Sequence, residues 1–363
     1  MRQLDGLRCL AVFGVVFHHS MSASVKEWIN VGGLCVRLFF VISGFLITGI
    51  LIHAKQKAAR TQSPRLSILL AFYARRVLRI FPIYYLVLIA AMVLGIHDVT
   101  DALGWHLSYL SNVYIAKIGY WPRTVEHLWS LSVEEQFYIV WPLLILMLPL
   151  RMIPRLCLAA IIGAPLFRAF ILETTHNSIA AGILMPSCLD TLGVGSLLAY
   201  IQCQHGKPDD HNRLSGMFRR KSVLVFGILS VGCLIMMFWL DVGFRVRHVF
   251  VDTVASGTFV FVVSRAAAGF GGQFGALLEW SPVVFVGRIS YGIYLYHNFA
   301  RTFFKSQFGI DEGWYQFLAV STVSVVVAAV SWHVVERPLS KYKRKFPYVK
   351  AQRAIAEFSV PHG

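Results

Sequence analysis

Arg8 and His19 stand in the first apolar stretch of the chain, Leu4 to Ser20, where a plain membrane anchor carries no ionisable group. An ionisable side chain inside a span is a functional candidate by default. Eleven positions separate the two, which at ~100° per residue brings them within ~20° of one helix face and ~16 Å apart along the axis. His18 falls off that line. One helix can therefore present a fixed cation near one membrane surface and a titratable imidazole towards the other, both facing a common cavity. The residues alone leave a second reading open, in which Arg8 snorkels to the interface and His19 marks the far end of the span.

Further candidates follow along the chain. Arg75-Arg76-Val77-Leu78-Arg79 is placed at the opening of the third span, with Arg75 and Arg79 on one face and Arg76 close to Arg79. Guanidinium forks pair bidentately with phosphate oxygens, so a nucleotide-type donor such as coenzyme A fits them. Basic anchoring of a span is the alternative, and charge alone favours it. Trp129 to Tyr138 (WSLSVEEQFY) begins the fourth span, where Ser130, Glu134 and Tyr138 recur one turn apart, so a carboxylate is flanked by hydroxyls. That face suits a polyhydroxylated acceptor, whereas a helix cap with favourable acids accounts for one Glu better than two. Ser43-Gly44 puts two small residues amid large ones and reads as a close helix contact. Gly287 to Asn298, with its tyrosines and His297, is too polar to face lipid and belongs in a bundle interior, for structure or for ligand contact. The aromatic 98–127 connection is read as an interfacial belt, in preference to the lining of a vestibule.

The elements that position these residues are membrane spans. Hydrophobic residues make up 56% of the 363, charged residues 14%, and mean hydropathy is +0.62, too apolar for a soluble core. Ten stretches are long enough to cross a hydrocarbon core of ~30 Å: 4–22, 34–53, 78–97, 128–149, 156–172, 185–202, 222–240, 249–267, 282–304 and 314–335. The fold expected is an all-α polytopic bundle over residues 1–340 with a basic tail over 341–363. The net charge of +16 sits mainly in alternate connections (Lys55 to Arg76, Lys207 to Lys221) and in the tail, which places both termini in the cytoplasm. Arg245 and Arg247 sit on the opposite side. Basic residues held at an anionic leaflet do not call for nucleic acid. The six cysteines have no CxxC pair and no metal-like spacing, so no metal site is expected. Arg8 interrupts the first apolar run and no small-residue cleavage site follows, so this is read as a retained span.

Together these pieces carry a resemblance. The chain resembles the acyltransferase 3 family of bacterial integral-membrane O-acyltransferases in LDGLR with His19 at Arg-x10-His spacing, LFFVISGFLI (38–47), Phe72 to Tyr85, WSLSVEEQFY, SYGIYLYH (290–297) and Glu336-Arg337-Pro338, in family order. Cys9 stands where the family usually has Gly, and Arg37 where an acidic residue often precedes Leu-Phe-Phe. The resemblance implies an enzyme of the bacterial inner membrane that moves an acyl group, often acetyl, from cytoplasmic acyl-CoA to a hydroxyl of an envelope or secreted carbohydrate. It implies His19 as catalytic base or acyl acceptor, Arg8 as a stabiliser of negative charge or a guide for the pantetheine thioester, and Arg75, Arg76 and Arg79 on the coenzyme A phosphates. Ser130 and Glu134 would orient the acceptor, with Ser43 and Tyr138 beside them. Acyl-CoA is then a donor substrate and no tightly bound cofactor is expected. Some relatives carry a fused extracytoplasmic domain; this chain is read as a stand-alone form. The competing classes are a transporter or flippase with a buried Arg/His/Glu path, and an acyltransferase acting on a small secondary metabolite.

Overall fold

The computed structural model describes residues 1–28, 30–205, 225, 227–237 and 243–349, and every regular element among them is helical. Hydrocarbon offers no water to bond to backbone groups, so a helix, which satisfies them internally, is the form an apolar segment takes there. The principal helices are α1 (Arg2–Ser20), α2 (Val31–Arg60), α3 (Arg65–Val93), α4 (Leu128–Met147), α5 (Ile153–Thr175), α6 (Leu189–His205), α7 (Phe244–Ala268), α8 (Ser281–Arg288), α9 (Ser290–Phe308) and α10 (Trp314–Ser331). Five segments are long and apolar enough to cross a membrane: Val31–Arg60, Arg65–Val93, Leu150–Thr175, Phe244–Ala268 and Trp314–Lys345. Helices α1, α4, α6 and α9 carry polar residues on buried faces and pack among them. The chain is an all-α, multi-pass membrane bundle.

Two expected spans differ from what the structure holds. Helix α3 starts at Arg65 and not at 78, so Arg75, Arg76 and Arg79 lie inside a 29-residue helix and not at its entrance. Pro64 opens that helix; with no N–H of its own and an extended backbone (φ −62°, ψ 138°), it suits the position just before the first turn. The expected span 282–304 is two helices, broken at Ile289 (φ −92°, ψ 6°), which lets α8 lie against α1 while α9 turns Tyr291 and Tyr294 inward. Of the expected 222–240 span only 225 and 227–237 are described, as helix. The basic connection from Lys207 to Lys221 and residues 350–363 of the tail lie outside the described residues.

Helix α1 is central, touching α2, α7, α8, α9 and α10. Glycines allow this density. A Cβ on Gly287 of α8 would lie 1.8 Å from the Asp5 carbonyl oxygen of α1. Between α2 and α6 the contact is reciprocal: a Cβ on Gly44 would come 2.0 Å from Leu192 O, and one on Gly195 2.1 Å from Val41 O. The expected small-residue contact at Ser43-Gly44 is this one, with Gly44 at the helix pair and Ser43 turned to the interior.

Arg37 finds its partners on the other side of α2. Its Nη2 lies 2.7 Å from Asp252 Oδ2 and donates to Gly182 O, while Nη1 reaches Cys188 Sγ at 3.0 Å. Alongside, Arg168 Nη2 pairs with Asp190 Oδ2 at 2.7 Å, and Thr253 donates to the same carboxylate oxygen at 2.6 Å. Arg168 and Asp190 are 1% and 0% exposed. This network pins α2, α5, α6 and α7 to one another, so an arginine at 37 serves the helix packing.

A methyl group at position 44 or 195 has only backbone to push against, and overpacking of this kind costs ~1–3 kcal/mol. Gly44→Ala and Gly195→Ala are expected to lower the thermal unfolding midpoint in detergent, whereas Gly49→Ala, whose Cβ would meet only Ala199 Cβ at 3.9 Å, leaves it nearly unchanged.

Candidate active site

Two neighbouring cavities lie in the bundle. The first is narrow, about 80 Å³, and takes Arg8 from α1, Ser43 from α2, Arg76 and Arg79 from α3, and Ser130, Glu134 and Tyr138 from α4. The second is about 1010 Å³ and holds His18, His19, Glu126, His127 and Arg301, with Tyr120, Trp121 and Trp129 along its wall. Val36 and Tyr294 line both. Arg8 and His19 share a face of α1, as the spacing predicts, and each opens into one of the two spaces.

In the narrow cavity Ser43 Oγ donates to Glu134 Oε1 at 2.6 Å, and Tyr138 OH donates to Ser43 Oγ at 3.2 Å. Arg8 Nη1 donates to Asp5 Oδ1 at 3.2 Å, and the Arg76 guanidinium lies 4.9 Å from the centre of the Tyr138 ring. Ser130 Oγ and Tyr294 OH are 2.6 Å apart at the junction. Glu134 and its hydroxyl partners thus sit with the arginines and not in the cavity that holds His19, because Glu134 falls more than a turn into α4 and that face is turned to α2 and α3. Arg75 lines neither cavity. Its guanidinium lies 4.8 Å from the centre of the Tyr348 ring and donates to Phe346 O at 3.3 Å. Helical spacing separates Arg75 from Arg76 by ~100°, and the helix gives Arg76 and Arg79 to the cavity instead.

The His19 end holds residues that spacing did not single out. Glu126 Oε1 lies 3.0 Å from His19 Nδ1 and 3.1 Å from Arg301 Nη1, which also donates to His19 O at 3.2 Å. A carboxylate only accepts, so Nδ1 carries a proton in this contact, and in the neutral form of the ring the lone pair is on Nε2. The 3.3 Å approach of Arg301 Nη1 to Nδ1 is the longest of these contacts and competes with the carboxylate for the same atom. Burial pushes the Glu126 carboxyl up, but the His19 hydrogen bond with the charges of His19 and Arg301 outweighs it and holds the group down at about 2.

Behind His19 the His297 ring is 5.1 Å from both His19 and His127. His127 donates Nε2–H to Leu295 O at 3.1 Å and accepts at Nδ1 from Asn298 Nδ2 at 3.1 Å, which fixes it as a neutral ring. His297 is fully buried and its Nδ1 bonds Tyr294 O at 2.5 Å, so the polar α9 motif faces the interior as expected. The signal for Glu126 was the Glu126-His127 pair, one residue before the WSLSVEEQFY stretch; nothing in the spacing points to Arg301, which lies 282 positions from His19. Tyr120 and Trp121, read from sequence as part of an interfacial belt, line the larger cavity instead, just after the helix Ser111–Ile118 ends at Gly119 (φ 74°).

Residues 1–333 match a family described as acyltransferase domain. The O-acetyltransferase OatA of Staphylococcus aureus is 28% identical over 93% of this chain and 57% of its own length. The putative peptidoglycan O-acetyltransferase YrhL of Bacillus subtilis is 28% identical over 93% and 54%, and the peptidoglycan O-acetyltransferase OatA of Listeria monocytogenes 27% over 93% and 55%. The chain thus spans little more than half the length of the curated relatives it matches. No solved structure matches it.

Because the folded-state pKa of Glu126, about 2, lies below the ~4.3 of an unfolded glutamate, its ion cluster contributes stability above the unfolded value and loses it as pH falls towards 2. Thermal unfolding of the protein and of Glu126→Gln is expected to differ by a constant margin at pH 5 to 8 and to converge between about pH 4 and pH 2.

Proposed function

The chain belongs to the acyltransferase family whose domain it matches over residues 1–333, and on that premise we propose that it is a membrane O-acetyltransferase using acyl-CoA as donor and a carbohydrate hydroxyl as acceptor. The observation that carries this reading is the pair of cavities that share Val36 and Tyr294 in their lining, cationic on one side and holding His19 on the other. Arg76 and Arg79 hold the phosphates of a donor entering at the cytoplasmic end. The slender pantetheine arm suits the narrow cavity, and the thioester lies where the two cavities meet. A sugar chain occupies the larger cavity against Tyr120 and Trp121, since aromatic faces with nearby charges suit a polyhydroxylated ligand. Peptidoglycan, named in two of the relatives, is the first acceptor to test.

His19 acts through Nε2. It takes the proton of the attacking hydroxyl as the oxygen bonds the thioester carbon, and the C–S bond then breaks and the coenzyme A thiolate takes that proton from the imidazolium. Glu126 holds Nδ1–H and stabilises the imidazolium while it exists, as an orienting carboxylate does. Arg8, in the donor cavity, steers the pantetheine arm towards the junction.

The test uses the full chain in liposomes with labelled acetyl-CoA and peptidoglycan fragments, following ester formation and coenzyme A release. His19→Ala and His19→Gln are each expected to lose at least ~100-fold, since Gln keeps hydrogen-bonding capacity without a comparable base. His18→Ala loses much less. Ester formation by folded His19→Gln at the unaltered rate overturns the mechanism, and substrate uptake without ester formation by the unaltered chain moves the reading to a transporter. Arg76→Gln with Arg79→Gln is expected to raise KM for acetyl-CoA by more than it lowers kcat, because phosphates far from the reacting carbon are held equally in ground and transition states.

A further inference from the structure

Helix α9 runs past both cavities. Ser290 and Tyr291 line the narrow one, Arg301 and Thr302 the larger one, and Tyr294 between them lines both. Val36 is the other residue common to the two linings and has no polar atom in its side chain. Among the described residues, then, Tyr294 is the one polar side chain that both spaces share. Its hydroxyl lies at that boundary: it is 2.6 Å from Oγ of Ser130, a residue of the narrow cavity, and 3.2 Å from the carbonyl oxygen of His127, a residue of the larger one.

The ring is held from several sides. Tyr294 is 6% exposed, and its ring centre is 5.4 Å from that of His297, 5.8 Å from that of His127 and 6.3 Å from that of Phe39. Its backbone oxygen accepts from His297 Nδ1. The hydroxyl proton is less committed than the ring. Ser130 Oγ also reaches His127 O, at 3.1 Å, so either hydroxyl can supply that carbonyl. When Ser130 does so, the Tyr294 proton can turn to a ligand without leaving His127 O unmet. A phenol both gives and takes hydrogen bonds, and it is protonated at neutral pH. Addition of a hydroxyl to a thioester puts negative charge on the carbonyl oxygen, and a donor held in place for that oxygen beforehand lowers the barrier strongly.

We propose that Tyr294 is a catalytic residue of the acyl transfer, its hydroxyl donating a hydrogen bond to the thioester carbonyl oxygen as charge develops there; this rests on the acyl-CoA reading above, which brings the thioester to the residues the cavities share. As the acceptor oxygen bonds the carbonyl carbon, the π pair moves onto the carbonyl oxygen and the hydrogen bond from Tyr294 strengthens. The pair returns as the C–S bond breaks, and Tyr294 keeps its proton throughout.

The test follows the single-turnover rate of acetyl transfer by the full chain in liposomes, with coenzyme A titrated onto each variant. Tyr294→Phe removes one oxygen and keeps the ring contacts. It is expected to slow transfer about 100-fold, as loss of one oxyanion donor does, with affinity for coenzyme A held within about two-fold. Ser130→Ala leaves the Tyr294 hydroxyl in place and is expected to lose less than about ten-fold. Tyr294→3-fluorotyrosine keeps the fold and the hydroxyl but makes the donor more acidic, so transfer is expected to quicken about two-fold; it decides the matter if Tyr294→Phe does not fold. An unaltered rate in Tyr294→Phe or in Tyr294→3-fluorotyrosine overturns the inference while the donor reading stands. So does a loss in Tyr294→Phe that weaker coenzyme A binding accounts for, because the hydroxyl then acts on the ground state. An unaltered chain that forms no ester from acetyl-CoA removes the donor reading and this inference together.

Discussion

Inside hydrocarbon a polar group has no water to turn to, so each one must be met by another part of the chain or face an enclosed aqueous space. The Arg37–Asp252 and Arg168–Asp190 pairs are the first solution, closed by Thr253, by Cys188 and by the carbonyls of Gly182, Ser187 and Val249. Arg8, Arg76, Arg79 and His19 are the second, since they line cavities. The same rule therefore divides these ionisable residues into those that hold helices together and those that line cavities. A buried pair of this kind adds little net stability over an apolar one but is costly to break, so it acts on the choice of partner helices.

Close backbone contact supplies what the polar network does not. With lipid outside and no hydrophobic drive between spans, helices associate through packing, and small residues let them approach. Gly44 against Leu192, Gly195 against Val41 and Gly287 against Asp5 bring α2 to α6 and α8 to α1. The break at Ile289 allows α8 to make that contact while α9 carries Tyr294 and His297 into the interior. The site is thus assembled on α1, α2, α3, α4 and α9, elements whose mutual positions are set by contacts outside it.

Under the proposed reading the two cavities separate the tasks that a transfer across a membrane requires. Phosphate recognition needs fixed cations and tolerates water; proton transfer needs one oriented imidazole beside the acceptor. Arg76 and Arg79 line one cavity and His19 with Glu126 the other, and under the proposed reading the first takes the donor and the second the acceptor.

Much of this was legible in the chain itself. Apolar length determined the helices, because hydrocarbon admits little else, and the eleven-position interval determined that Arg8 and His19 share a face, because α-helical geometry is local. The interior orientation of the 287–298 stretch followed from its polarity in the same way. Where periodicity is interrupted the reading failed: the start of α3 at Arg65 and the break at Ile289 depend on what packs against them. The partners of each ionisable group were beyond reach for the same reason. Glu126 and Arg301 come to His19 from 107 and 282 positions away, Tyr348 takes Arg75, and Asp252 takes Arg37. Sequence spacing fixes the direction of a side chain only within its own helix; which other helix faces it is decided by packing, and only the tertiary structure records that.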